Sequence, residues 1–348
     1  MKTIGIFPAS GGLGTSTYTH LLNLVPPENV ILISRHPDKI PTKYTGGTQA
    51  EAAGVRTRQA SYETPPSDLE KSAFAGIDVL FLISYPSHVK DYRIKVQLPA
   101  IDAARRAGVK HIFYSSLAFA GDPARDPAAA STSAAEVMQA HLATEGHLRH
   151  LAETAGPASG FTYTVIREGI YSESTPIYTS FFDPNDASSS SPASSEGDSA
   201  ILIPHDGKGK GVAWVKRDEL GEASARLIAR YASSSPSSPE SFNYVNKIVL
   251  LTGNKEWTLE DTVKVLGEVS GKPELKIREI SVDEWVQLPQ VKKYFPREED
   301  ARTWATAWEA IRQGATAAVT RDLEEILGRR PEDFDVTLKA GTRATAGQ

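Results

Sequence analysis

The chain has 348 residues, with 38 lysine and arginine residues against 43 aspartate and glutamate residues and no cysteine. This length favours about two domains or one enlarged domain, since a domain averages roughly 150 residues. The net charge is −5 and no block of five like charges occurs, so the sequence does not support a nucleic-acid-binding surface. The absence of cysteine excludes disulfides, thiolate metal sites and a cysteine nucleophile. No run reaches the roughly 18 apolar residues of a membrane span, and no signal-peptide pattern begins the chain, so we expect a cytoplasmic protein without a membrane partner.

Short apolar runs alternate with amphipathic segments through the first half of the chain. The runs lie at residues 3–7, 30–34, 55–59, 78–83, 111–115 and 163–167. Apart from 55–59, which is largely polar, they are mainly apolar, as strands buried on both faces are. The longest helical segments between them are residues 89–107 and 133–154. This repeated order predicts an α/β fold over residues 1–167, with the doubly wound parallel sheet of a Rossmann domain.

For residues 168–348 the pattern predicts a smaller C-terminal α/β lobe that is interleaved with the sheet. Strands are predicted at 212–215 and 248–252, so parts of 212–252 should return to the Rossmann sheet. Residues 183–200 are rich in Ser, Pro, Asp and Gly and predict a flexible insertion. A helix over 258–270, a strand over 275–280 and a helix capped by Ser281 and Glu284 complete the lobe.

The first predicted strand runs into a glycine-rich loop, and a helix follows directly. Glycines let the backbone approach a pyrophosphate, and a helix N-terminus supplies unpaired N–H groups. A plain turn is the alternative, but the strand before the loop and the helix after it favour dinucleotide binding. The predicted cofactor residues of this loop are Ser10, Gly11, Gly12, Leu13 and Gly14.

The end of the second predicted strand indicates which dinucleotide is bound. An NAD-specific fold places a carboxylate there, whereas this chain has Arg35, followed by Lys39. An arginine can pair bidentately with a 2′-phosphate and stack on the adenine. A solvated basic turn is the alternative. The two cations predict NADPH (NADP+) as the cofactor rather than NADH.

Several segments resemble one known family. They are Ala9-Ser10-Gly11-Gly12-Leu13-Gly14, residues 34–39, 107–117, 141–145 and 163–173, and the turn Gly328-Arg329-Arg330-Pro331. These segments resemble the NmrA-like atypical short-chain dehydrogenases, in particular the quinone oxidoreductase 2 type. The resemblance implies a Rossmann fold and an NADP cofactor, but the family contains both reductases and non-catalytic regulators. It also places Glu145 at the cofactor, where many relatives carry a lysine.

Two further candidates for chemistry are His141 and Tyr171. His141 and Glu145 lie four residues apart on one face of a predicted helix. His141 is expected to donate a hydrogen bond to a substrate carbonyl while Glu145 fixes its tautomer; a surface pair is the alternative. Tyr171 follows the sixth predicted strand and is expected to wall the nicotinamide pocket, with a place in the core as the alternative.

Polar residues also follow the fourth and fifth predicted strands, at the sheet edge where such folds bind ligands. Ser84 and Tyr85 are predicted to pass along the cofactor. Ser115 is expected to hold the nicotinamide ribose and Ser116 a substrate oxygen, although strand-end serines also bond their own backbone.

Trp304 and Trp308 lie four residues apart, a spacing that favours helix packing over a ligand site.

Taken with the resemblance, these residues predict NADPH-dependent reduction of a quinone or carbonyl-type small molecule by direct hydride transfer. No Tyr-x-x-x-Lys occurs in the sequence, so the acid dyad of ordinary short-chain dehydrogenases is absent. One alternative is an NADP-sensing regulator that acts through a protein partner. Another is a tailoring reductase or isomerase of a biosynthetic pathway. A homodimer is possible, and no metal-ligand spacing occurs.

Overall fold

The computed structural model describes residues 1–41, 54–184, 200–234 and 242–346, without the side chains of residues 155–159 and 342–346. The strands in these ranges are β1 Ile4–Phe7, β2 Val30–Ser34, β3 Arg56–Gln59, β4 Val79–Ile83, β5 His111–Leu117, β6 Thr162–Glu168, β7 Ala200–Ile203, β8 Lys247–Leu251 and β9 Lys276–Glu279.

The α-helices in the same ranges flank the sheet or build the second lobe. They are α1 Gly12–Leu21, α2 Pro66–Asp68, α3 Lys90–Arg106, α4 Glu136–Ser159, α5 Thr175–Tyr178, α6 Arg217–Ser233, α7 Leu259–Ser270, α8 Val282–Trp285, α9 Pro289–Tyr294, α10 Glu298–Arg312, α11 Asp322–Leu327 and α12 Phe334–Ala346. Helix α2 continues into a π-helical turn at Leu69–Ala73.

A parallel sheet of seven strands forms the centre of the described structure, in the order β3-β2-β1-β4-β5-β6-β8. Every residue of β1 and β2 is buried, because helices cover both faces of the sheet. The strand order reverses between β1 and β4, which opens a crevice at their carboxyl ends. The predicted doubly wound α/β fold is therefore confirmed.

The second lobe has its own small parallel sheet of β7 and β9, which the sequence did not predict as a pair. Its apolar core contains the indole rings of Trp214, Trp285 and Trp308. Ser281 caps α8 with Glu284 in a capping box, as predicted. Strand β8 pairs with β6 and so belongs to the central sheet rather than to the lobe's own sheet.

The strand predicted over 212–215 is wrong. The segment is apolar because it is buried, but its backbone N–H groups bond to different parts of the chain: Val212 to Trp257, Ala213 to Thr316 and Val215 to Ile170. Only isolated bridges result. A buried irregular segment has the same apolar pattern as a buried strand, so the sequence could not distinguish these two structures.

Residues 185–199 of the predicted flexible insertion lie outside the described residues. Ala200, the last residue of that prediction, begins β7, so the predicted end of the insertion is one residue too late. The division of the chain at residue 167 stays a prediction, as does the cytoplasmic location. Across the described ranges, no helix is long and apolar enough to span a membrane.

Candidate functional site

The glycine-rich loop joins β1 to the start of α1 at the crevice. Gly11 has a φ of 115°, which favours glycine, and Gly12 begins the helix. No side chain caps α1, so its first N–H groups remain available to an anion. Ser10, Gly11 and Gly12 are exposed, whereas Leu13 and Gly14 are buried. The exposed half of the loop fits a pyrophosphate.

Gly12 and Gly14 have different structural roles. A β-carbon added at Gly14 would lie 2.5 Å from the carbonyl oxygen of Ala9, so this glycine lets the helix pack against the loop. A β-carbon added at Gly12 would instead lie 2.6 Å from Cζ of Arg217, the first residue of α6. A guanidinium therefore rests on the start of α1, where a pyrophosphate would bind. Sequence reasoning missed Arg217.

The two predicted 2′-phosphate ligands are exposed beside this loop. Nη2 of Arg35 lies 3.4 Å from Oε2 of Glu63, and both side chains are open to solvent. An exposed pair at this distance is weak, so a phosphate can displace Glu63. Lys39 lies in a 3₁₀ turn, Pro37–Lys39, directly after Arg35. The arrangement fits a nucleotide that carries a 2′-phosphate.

A cavity of about 530 Å³ opens at the carboxyl ends of β4, β5 and β6. Its polar wall contains Ser84, Ser115, Ser116, His141, Glu168 and Tyr171. Its apolar wall is largely aromatic and comes from the second lobe, with Tyr178, Phe181, Tyr294 and Trp304. A planar apolar molecule fits between these walls.

Tyr85 points away from this cavity. Its hydroxyl donates a hydrogen bond of 2.7 Å to Oε1 of Glu63, and this bond, with burial, raises the pKa of Tyr85 to about 12. Its ring packs edge-on against Tyr62 and Tyr92. Tyr85 thus lies on the side of Arg35, whereas its neighbour Ser84 lines the cavity. Contact of both residues with the cofactor stays a prediction.

His141 lines the cavity, but both of its ring nitrogens are engaged by the protein. Nη2 of Arg93 donates to Nε2 of His141 at 2.7 Å, so Nδ1 carries the proton and donates to the Tyr114 hydroxyl at 3.0 Å. Burial, together with the charges of Arg93 and Arg167, holds the pKa of His141 well below its usual value. The ring is neutral and its N–H is already used. Donation by His141 to a substrate stays a prediction, which these contacts do not favour.

The predicted pairing of His141 with Glu145 is wrong. Both oxygens of Glu145 bind Arg167, at 3.0 Å from Nε and 2.7 Å from Nη2. The Ser116 hydroxyl donates to the same carboxylate at 2.6 Å. Glu145 and Arg167 are 3% and 1% exposed. A buried charge is stable only when it is paired, and Arg167 rather than a neutral imidazole meets that need.

Glu168 and Tyr171 lie on the other face of the sheet from this ion pair. Glu168 ends β6 and lines the cavity, and the Tyr171 hydroxyl donates a hydrogen bond to its Oε2. Its Oε1 is buried without a hydrogen-bond partner. Burial raises the pKa of Glu168 to about 7, although the hydroxyls of Tyr171 and Ser115 act against this. Tyr171 thus lies in the cavity wall, and its contact with the nicotinamide stays a prediction. Glu168 was missed.

Two of the missed residues carried a signal in the sequence. A carboxylate that directly ends a buried strand, as Glu168 does, is unusual enough to have been weighed as a ligand-binding residue. Trp304 was assigned to helix packing, yet it lines the cavity and packs edge-on against His88. Trp308, by contrast, packs on Trp285 in the lobe core, as expected. No sequence signal places Arg217 beside Gly12, because that contact joins the two halves of the chain.

The fold and the glycine-rich groove are typical of dinucleotide-binding proteins, and comparison with known proteins agrees with this class. A model of NAD(P)H-binding proteins matches residues 9–196. The chain belongs to this NAD(P)H-binding family, and it is an NAD(P)H-dependent oxidoreductase of the NmrA-like type that its motifs resemble.

Particular relatives cover most of the chain. The NmrA-like family domain-containing oxidoreductase flvB of Aspergillus flavus is 28% identical over 326 residues, which span 93% of this chain and 89% of that protein. Quinone oxidoreductase 2 of Escherichia coli is 31% identical over 270 residues, 77% of this chain and 75% of that protein.

Solved structures show the same likeness. The NADPH complex of the NADPH-dependent quinone oxidoreductase of Escherichia coli matches with a TM-score of 0.71 and 26% identity, over 97% of this chain and 99% of that one. The NADP(H) complex of triphenylmethane reductase from Citrobacter sp. matches with a TM-score of 0.67 and 27% identity, over 97% and 99% of the two chains.

The ion pair of Glu145 and Arg167 leads to a prediction about stability. Glu145→Gln leaves the Arg167 charge buried without a partner, so it should lower the free energy of unfolding by roughly 3 kcal/mol. Glu70→Gln is the control, because it removes the half-buried partner of the exposed Arg106 and should cost less than about 1 kcal/mol. Urea unfolding measures both variants. Equal losses would show that the buried pair does not anchor this site.

Proposed function

We propose that the protein reduces a quinone or another carbonyl-type small molecule with NADPH, by direct hydride transfer. One observation carries the proposal: the cavity with the aromatic wall lies at the carboxyl ends of β4, β5 and β6, in the sheet whose crevice also holds the glycine loop. A dinucleotide bound along this crevice would bring its nicotinamide to the cavity. The two similar structures named above were solved with NADPH or NADP(H), and one is a quinone oxidoreductase.

The residues present fit an NADPH molecule. The uncapped start of α1 and Arg217 would hold the pyrophosphate, and Arg35 with Lys39 would hold the 2′-phosphate. Ser115 and Ser84 line the cavity where the nicotinamide ribose would lie. Glu145 is already paired with Arg167, so we propose that it supports this edge through Ser116 rather than through a contact of its own.

The protein's part in the reaction is mainly positioning. The bound nicotinamide supplies the hydride with its electron pair. The apolar wall excludes water and holds a flat acceptor, while Ser116 and Tyr171 fix its orientation. A quinone needs little acid assistance, because the anion that it forms is aromatic. This is how turnover is compatible with the absence of a Tyr-x-x-x-Lys dyad.

The proposal is tested by NADPH oxidation with a panel of quinones, enones and ketones. We expect quinones to be reduced fastest, and a crystal soaked with NADPH to show the nicotinamide at Ser115 and Ser84. If no acceptor is reduced although NADPH binds, a nucleotide-sensing regulator explains the protein better. A partner whose binding depends on NADP would then be sought.

Cofactor preference tests Arg35 separately from catalysis. The parent should bind NADPH at least tenfold more tightly than NADH, which requires only about 1.4 kcal/mol and is within reach of one charge-assisted pair. Arg35→Ala should remove most of this preference. Arg106→Ala, at the far end of α3, is a matched control that should keep it. Titration of both nucleotides measures the ratio, and a preference retained by Arg35→Ala would contradict the assignment.

Arg217 should act on both nucleotides alike, because the pyrophosphate is common to them. Arg217→Gln is expected to weaken NADPH and NADH binding by a similar factor, about fivefold or more for the loss of one charge-assisted contact. Its effect should shrink at high salt, where such contacts are screened. Calorimetric titration at two salt concentrations measures this. A loss confined to NADPH would place Arg217 at the 2′-phosphate instead.

Tyr171 tests the acceptor side of the cavity. Tyr171→Ala should lower quinone turnover at least about tenfold, since a displaced acceptor loses the near-attack geometry. NADPH affinity should change less than about threefold, because the ring lines the acceptor space. Tyr171→Phe keeps the ring and should keep most of the turnover at acidic pH. A similar loss of turnover in both variants would mean that the hydroxyl, rather than the ring, matters.

A further inference from the structure

The wall of the cavity contains a carboxyl group that has one unsatisfied oxygen. Glu168 is 1% exposed, and its Oε2 accepts the hydrogen bond of Tyr171. Its Oε1 is buried and has no hydrogen-bond partner. A buried carboxylate oxygen without a partner costs free energy, and this cost falls when the group is protonated or when the oxygen meets a ligand. Because Glu168 lines the cavity, that ligand would be the molecule bound there.

The position of Glu168 follows from the pleat of the sheet. Successive residues of a strand point to opposite faces, so Arg167 and Glu168 point apart. Ser116 is in register with Arg167, and both join the ion pair with Glu145 on one face. Glu168 lies on the opposite face and is therefore separated from the one arginine that its own strand could offer.

Among the described residues that line the cavity, no positively charged side chain compensates a negative charge on Glu168. The titratable side chains that line the cavity with it are His88, His141, Tyr171, Glu173, Tyr178 and Tyr294. Burial lowers the pKa of His88 and, together with Arg93 and Arg167, that of His141, so both rings are neutral near pH 7. Burial and the Glu168 carboxyl hold the pKa of Tyr171 well above its usual value, although the nearby charge of Arg217 opposes this.

These surroundings account for the ionisation of Glu168. Burial raises its pKa to about 7, against the opposing effect of the Tyr171 and Ser115 hydroxyls. A general acid works best when its pKa lies near the working pH. Around neutral pH, a substantial fraction of Glu168 therefore carries a proton that can be given away.

We propose that Glu168 is the proton donor to the acceptor oxygen in the reduction, an inference that rests on the proposed function. Hydride addition to the acceptor leaves an electron pair on its oxygen. The new O–H bond forms there as the O–H bond of Glu168 breaks, and the carboxylate keeps the electron pair. Solvent water then restores the proton to Glu168. This step supplies the acid that the missing Tyr-x-x-x-Lys dyad provides elsewhere, and ketones and enones need it more than quinones do.

The ionisation is tested first without cofactor or turnover. Infrared difference spectra between pH 5 and pH 9 should show a protonated carboxyl that disappears with a midpoint near pH 7. Glu168→Gln should remove this signal, whereas Glu28→Gln, an exposed carboxyl before β2, should keep it. If the signal survives in Glu168→Gln, Glu168 is not the group that titrates and the proposal fails.

The second measurement is the pH dependence of turnover. In the parent, ketone or enone reduction should fall as the pH rises through 7, because the acid form of Glu168 is lost. Glu168→Gln should lower this reduction about tenfold or more and flatten the profile, with a smaller loss for quinones and less than a threefold change in NADPH affinity. Tyr171→Phe removes a hydrogen bond that lowers the pKa of Glu168, so it should move the alkaline fall to higher pH.

The outcomes separate this inference from the proposed function. If the parent reduces acceptors but Glu168→Gln keeps the same pH profile, the donor is another group and only the inference is wrong. If Glu168→Gln instead weakens NADPH binding tenfold with an unchanged profile, Glu168 is a cofactor ligand and the inference is also wrong. If the parent reduces no acceptor, the proposed function fails and the proton donor fails with it.

Discussion

The buried ion pair between Glu145 and Arg167 fixes the geometry on which the rest of the site depends. It joins helix α4 to strand β6, and through the Ser116 hydroxyl it also holds the end of β5. Removing two charges from water is costly, and the bidentate contact offsets that cost only in one arrangement. The interaction therefore does more to fix positions than to add stability. Ser116 and His141 of the cavity wall lie on the same strand and helix, so the ion pair also fixes their positions.

The sheet divides the polar groups of the site into two sets with different character. On the face of α4, both ring nitrogens of His141 are hydrogen-bonded, one to Arg93 and one to Tyr114, and the imidazole is neutral. On the opposite face, Glu168 retains an unpaired oxygen. An imidazole with both nitrogens hydrogen-bonded resists a change of protonation, whereas a buried carboxyl with an unpaired oxygen takes up a proton more easily. The first set supports the site, and the second is where a proton can move.

Local patterns in the sequence predicted the sheet and the nucleotide groove, because both depend on contiguous residues. The predicted strands of the first half agree with the observed ones to within two residues, and the segment from Ser10 to Gly14 leads from β1 into α1 as expected. Contacts between distant segments were beyond such reasoning. His141 and Glu145 do lie on one helix, as their spacing predicted, but the partner that Glu145 binds, Arg167, comes from strand β6. The pairing of β7 with β9 across more than 70 residues was hidden for the same reason.

Because Arg217 contacts Gly12, the proposed nucleotide site is built from both halves of the chain. The glycine loop is encoded near the beginning of the sequence, whereas the cation that rests on it begins a helix some two hundred residues later. Helix α6 also packs along α1, where Ser16 bonds to Asp218. The first half of the chain therefore cannot be exchanged between relatives as an independent unit. A chimera that takes the glycine loop from a relative would still carry Arg217 of this chain. The loop and the start of helix α6 should therefore be exchanged together.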